Sequence, residues 1–96
     1  MNDNALLVNA AKDIIKAFTN FRKGTRKNGM PKSESQVTNF FNELKSIKEK
    51  YQINIDNQKL INCYYSYLEY NLENKRINYD LFIDTIIKLK IIEEVN

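Results

Sequence analysis

Four tyrosines, Tyr64, Tyr65, Tyr67 and Tyr70, fall within seven positions of the stretch LINCYYSYLEYNLENKRINYDL, residues 60–81, and are followed by Lys75 and Arg76. Tyrosine and arginine together have the chemistry of a binding surface, because they bury large area at small entropy cost and still offer hydrogen bonds. A second loaded stretch is RKGTRKNGMPK, residues 22–32, which holds Arg22, Lys23, Arg26, Lys27 and Lys32 without one acid. Such a run can grip nucleic-acid phosphates or the anionic inner face of a membrane. Its simpler role is a solvated loop that keeps a small protein soluble.

Chemistry of a catalytic kind finds less material. The carboxylate pairs Glu69 with Glu73, Asp80 with Asp84, and Glu93 with Glu94 read as the polar faces of helices, with no glycine-rich phosphate loop beside them. The chain has no histidine, so the commonest general base and the commonest metal ligand are both missing. Cys63 is its only thiol, which forbids an internal disulfide, favours a cytosolic setting and assigns that side chain to packing. The residues therefore point away from an enzyme, with no catalytic residue, metal or cofactor expected, and toward a small helical binding protein.

The elements that must position these residues follow from spacing. At 96 residues and 43% hydrophobic, the chain is expected to be a single domain over 1–96 closing one modest core without staples. Its two glycines and one proline, Gly24, Gly29 and Pro31, cluster in one place and mark one clear loop. Before it, Leu7, Ala11, Ile14, Phe18 and Phe21 recur at helical spacing and predict a helix over 5–22, with Asn4 as its cap. After it, Ser33 and Gln36 form a capping-box pattern, and Val37, Phe40, Phe41, Leu44, Ile47 and Tyr51 mark a second helix over 34–50. Residues 51–55 alternate apolar and polar, but with no second clean alternating run to pair with them they read as a connector.

Asp56 is placed to cap a third helix over 57–74, whose apolar arc spans more than half its circumference and so must be touched from two directions. Most of the tyrosines then belong to the core with hydroxyls at the rim, Tyr67 and Tyr70 lying half exposed at the edge of the arc. Asn78 can cap a fourth helix over 79–94, with Asp80 in its first turn and an untidy set of isoleucines and leucines behind it. Phe40, Phe41, Leu44, Leu60 and Leu68 are the expected core. Four helices with short links predict an all-α fold, an antiparallel up-down-up-down four-helix bundle. The amino terminus has no signal-peptide pattern and no stretch of about 18 uninterrupted apolar residues occurs, so a soluble, cytoplasmic monomer is expected. Charge is uneven: residues 1–50 carry ten Lys and Arg against five acids, and residues 51–96 carry five against seven.

The runs Leu60-Ile61-Asn62, Tyr67-Leu68 and Asn74 to Leu81, preceded by Glu49-Lys50-Tyr51, resemble the third-to-fourth-helix region of the class IIa, enterocin A-type bacteriocin immunity proteins. The resemblance is best over residues 49–82. It implies a cytosolic antiparallel four-helix bundle that protects the producer by acting from inside on the mannose phosphotransferase receptor once bacteriocin has engaged it. The basic first loop is longer than that family's, and little sequence follows the expected fourth helix, where that family usually carries a tail. Recognition is then expected on Tyr67, Tyr70, Lys75 and Arg76, with an anionic membrane surface as a further partner. Residues 33–49, SESQVTNFFNELKSIKE, are similar to a segment of the small helical subunit of type III CRISPR effector complexes, with Thr38 where that family usually has arginine. That alternative implies nucleic-acid contact through Arg22, Lys23, Arg26, Lys27 and Lys32. A phage- or plasmid-encoded inhibitor of a host complex would use the same surfaces.

Overall fold

A computed structural model describes residues 4–23, 34–74 and 79–95. Helix α1 spans Asn4–Lys23, α2 Glu34–Tyr51, α3 Asn57–Asn74 and α4 Tyr79–Lys88; β1, Ile53–Ile55, and β2, Ile92–Glu94, complete the order α1-α2-β1-α3-α4-β2. The protein is predominantly helical, as its periodicity predicts. Helix α1 packs chiefly on α2 and also on α4, while α3 packs on α4.

One ring ties these helices together. Phe18 of α1 stacks flat on Tyr64 of α3, with centroids 3.9 Å apart and planes within 2°. It meets Phe40 of α2 at 4.9 Å and Phe82 of α4 edge-on at 6.3 Å. Around it Ala10, Ala11, Ile14 and Ala17 of α1 are buried, as are Leu44 and Ile47 of α2, Leu60 of α3 and Ile86 of α4. The alanines of α1 leave room for neighbouring helices to approach, so the large rings of α2, α3 and α4 fill the centre.

Two expectations need correction here. Residues 79–94 do not form one helix: α4 stops at Lys88. The stop is a Schellman turn, in which the amide of Ile91 donates to the Ile86 carbonyl at 3.0 Å and that of Lys90 to the Ile87 carbonyl at 3.1 Å. Lys90 stands at φ 55°, a position usually given to glycine. Ile91 and Ile86, which this turn brings together, are both buried.

Nor are residues 51–55 a plain connector. Gln52 also stands at a left-handed φ, 53°, and turns the chain out of α2 into β1. Strands β1 and β2 pair antiparallel with Ile53 opposite Glu94, Asn54 opposite Glu93 and Ile55 opposite Ile92. Bonds from Asp56 N to Ile91 O and from Val95 N to Gln52 O extend this ladder at both ends. The ribbon puts Ile53, Ile55 and Ile92 into the core and leaves Asn54, Glu93 and Glu94 outside.

Side chains fasten the helix ends. The Asp56 carboxylate accepts from the Lys59 amide at 3.1 Å, the expected cap of α3. Gln36 donates to the Phe21 carbonyl at 2.6 Å, satisfying one of the last carbonyls of α1 that have no partner within the helix. Of the other expected caps, Asn4 is the first residue of α1, and Ser33 and Asn78 lie outside the described residues.

Where α2 ends, the Tyr51 hydroxyl donates to Asp13 Oδ2 at 2.7 Å and Lys50 Nζ reaches the same oxygen at 3.2 Å. The Tyr51 bond, ahead of the Lys50 contact, holds the Asp13 carboxyl below the ordinary aspartate value of 3.8, against a partial opposing effect of burial. Lys50 is mostly exposed, so its ion pair adds little. A carboxyl depressed in the folded state stabilises the protein above its unfolded value, and that stability disappears as pH falls through the folded one. Tyr51→Phe is therefore expected to lower stability by about 1 kcal/mol at neutral pH, a charge-assisted bond discounted for solvent access. In urea melts the difference from wild type should shrink as pH drops below 3.8. An equal difference at pH values on both sides would contradict this role for Asp13.

Candidate binding surface

Helix α3 sorts its tyrosines into two pairs. Leu60, Tyr64 and Tyr67 follow one another at helical spacing on the buried side, with Ile61, Cys63 and Leu68 half-buried beside them. Tyr67 is only 7% exposed and packs on Phe82 at 5.6 Å and on Tyr79 at 5.8 Å. The expectation that it lies half exposed at the rim is thus corrected: it belongs to the α3–α4 contact. Tyr70, by contrast, is 55% exposed on the last turns of α3. Lys75 and Arg76, expected to stand beside it, lie outside the described residues. Leu68, an expected core residue, is partly buried.

Of the basic run, only the Arg22 side chain is described. It turns toward the protein, and its Nη1 donates to the Tyr64 hydroxyl at 3.4 Å, a long bond. Burial pushes the Tyr64 hydroxyl above its ordinary pKa, and the Arg22 charge partly offsets this. Lys23 closes α1; Arg26, Lys27 and Lys32 lie outside the described residues. Cys63 is half-buried, and its thiol is pushed up by burial alone, away from the reactive thiolate form. Among the described residues, no cluster of histidine, cysteine or carboxylate side chains could hold a metal ion, and no helix is long and apolar enough to cross a membrane.

The most distinctive surface is one that the spacing argument passes over. Phe18 and Phe21 of α1, Val37, Phe40 and Phe41 of α2, and Ile61 and Tyr65 of α3 line a recess of about 80 Å³. Phe41, expected in the core, is 39% exposed, and Tyr65, contributed by α3, is 40% exposed. The cause is the same in both helices. Neighbouring residues on an α-helix point about 100° apart, so of the doublets Phe40-Phe41 and Tyr64-Tyr65 only one ring can enter the core. Phe40 and Tyr64 do, and the second ring of each doublet packs edge-on against the first, at 5.5 and 5.8 Å. Two aromatic doublets on successive helices were thus a readable signal for a half-open aromatic recess.

A larger open groove of about 630 Å³ runs between α1 and α2, lined by Asp13, Lys16 and Asn20 on one side and Asn39, Asn42, Glu43 and Ser46 on the other. Its residues are polar and exposed or half-buried apart from buried Ile47, which marks it as the wet face of this helix pair rather than a ligand cavity. Half-exposed aromatic rings thus stand in two places, at the recess and at Tyr70 on the last turns of α3. No family model, curated protein or solved structure matches the chain.

Proposed function

We propose that this chain is a bacteriocin immunity protein of the class IIa, enterocin A type. It acts in the cytosol of the producer cell and binds the mannose phosphotransferase receptor from inside once bacteriocin has engaged it. In this reading the four helices form an antiparallel up-down-up-down bundle, and Tyr70 with Lys75 and Arg76 supplies the contact with the receptor. Support comes from the order of Leu60-Ile61-Asn62, Tyr67-Leu68 and Asn74 to Leu81 along the chain, and from a predominantly helical protein of four helices. The observation that carries the reading is the exposure of Tyr70. Tyr70, five residues before Lys75, is 55% exposed and can be reached by a partner from solvent, whereas Tyr67 is only 7% exposed.

Capture on the receptor tests this directly. Tagged protein should be retained on the solubilised mannose phosphotransferase complex when a class IIa bacteriocin is present, and released when bacteriocin is omitted. Retention that ignores the bacteriocin, or no retention with any class IIa bacteriocin, would overturn it.

A further inference from the structure

The recess between α1, α2 and α3 has no role in the proposed function. Among the described residues α1 packs on α2 and α4, and α3 packs on α4 more closely than on α2. The seam between α2 and α3 is therefore left open, and the recess lies in it. At about 80 Å³ it has room for a side chain and is well below the size of pockets that enclose small-molecule ligands. Charge around it is balanced: Arg22, Lys45 and Lys48 stand against Glu34, Glu49 and Glu69. A face of this kind favours neither a polyanion nor a polycation. It suits a partner that also carries both signs.

The order of residues along α2 selects that partner. Glu34, Val37, Thr38, Phe41, Lys45 and Lys48 recur at three- and four-residue spacing and so share one face of the helix, and each is exposed or half-buried. Glu34 lies seven residues before Phe41 and Lys48 seven after it. A second α2 laid antiparallel on the first, with the two-fold axis at Phe41, brings Glu34 of each copy opposite Lys48 of the other. The same overlay sets Lys45 opposite Val37, four residues to either side of Phe41, where the aliphatic stem of the lysine can cover the valine. Glu49, at the margin of the stripe, weakens its positive end without reversing it. We infer that a second copy of this chain covers the recess, α2 packing antiparallel on α2 so that each Phe41 ring closes the other copy's recess, in place of the monomer expected from spacing alone. Because one helix per copy carries the contact, the dimer is weak and forms as concentration rises. It needs no receptor, so it stands or falls separately from the proposed function.

Sedimentation equilibrium should show wild type passing from monomer to dimer between about 10 μM and about 1 mM, and high salt should shift it back toward monomer. Phe41→Ser should weaken association by about tenfold or more, since each dimer loses two rings. Glu34→Lys and Lys48→Glu should each leave the chain monomeric over the same range, because either change sets like charges together at both ends of the contact. Melting curves should show both variants folded. Mixed in equal amounts, these two variants should form a heterodimer, since every facing pair is then again of opposite sign. Wild type that stays monomeric over this range, a dimer that survives Phe41→Ser and both charge changes, or two charge variants that remain monomeric when mixed would overturn the inference. So would a monomer that binds anionic vesicles or single-stranded RNA and loses this binding on Phe41→Ser, which would place a different occupant on this face.

Discussion

Replacing Phe18 by alanine is expected to remove about 3–5 kcal/mol of folding stability, the range for deleting a fully buried phenylalanine. Phe18 is 2% exposed and lies against rings from each of the other three helices, Phe40, Tyr64 and Phe82. Truncation removes the hydrophobic transfer energy of one ring and also strands three partners around a void they cannot fill together, because they are fixed on separate helices. The stacked contact with Tyr64 adds a term that area alone does not count, about 0.5–1.5 kcal/mol for an aromatic pair. A domain of this length has roughly 5–14 kcal/mol in total, so the variant stands near the edge of folding. Urea denaturation should show a much lower midpoint with an unchanged slope. A loss of less than about 1 kcal/mol would mean that the four helices do not converge on this ring.

The second large effect concerns activity and rests on the proposed function. Tyr70→Ala combined with Arg76→Ala should abolish protection of a bacteriocin-sensitive strain while leaving helicity and melting temperature nearly unchanged. Tyr70 suits the test because it is 55% exposed, and a melting curve measured beside the protection assay separates partner contact from folding. Tyr67 does not: it is packed between Tyr79 and Phe82, and Tyr67→Ala would lower activity by unfolding the α3–α4 contact. A double variant that protects as well as wild type would place recognition elsewhere.

Much of the fold is legible from spacing. The expected helices 5–22, 34–50 and 57–74 agree within a residue with α1, α2 and α3. Their apolar stripes are regular, and the Asp56 cap leaves its mark in the sequence. The fourth helix is misread at its end because its stop signal is disguised. The left-handed residue of the Schellman turn is Lys90 and not glycine or asparagine, and Ile91 and Ile92 continue the apolar pattern as though the helix went on. That error hides the ribbon. Alternation at 51–55 is visible, but its partner strand lies inside the segment read as helix, and a three-residue strand is too short to announce itself.

The surface is less legible than the core. Counting apolar residues around α3 assigns all its tyrosines to one wide arc, yet the buried stripe is narrow, running through Leu60, Tyr64 and Tyr67, and Tyr65 and Tyr70 fall outside it on different sides. Phe41 fails for the same reason. A helix position is settled by which neighbour wins the core-facing direction, and hydrophobicity alone does not rank adjacent aromatic residues. The exposure of Tyr70 agrees with expectation because it lies at the margin of any arc drawn through Tyr64 and Tyr67.

The central claim, protection against a class IIa bacteriocin, is tested most directly in living cells. Expressed inside a strain that class IIa bacteriocins kill through the mannose phosphotransferase receptor, the intact protein should raise the bacteriocin concentration needed to stop growth, for at least one member of the class. The empty vector and the Tyr70→Ala, Arg76→Ala double variant, expressed to the same level, should leave the strain sensitive. Growth inhibition at the same concentration with and without the intact protein, for every class IIa bacteriocin tried, would contradict the account.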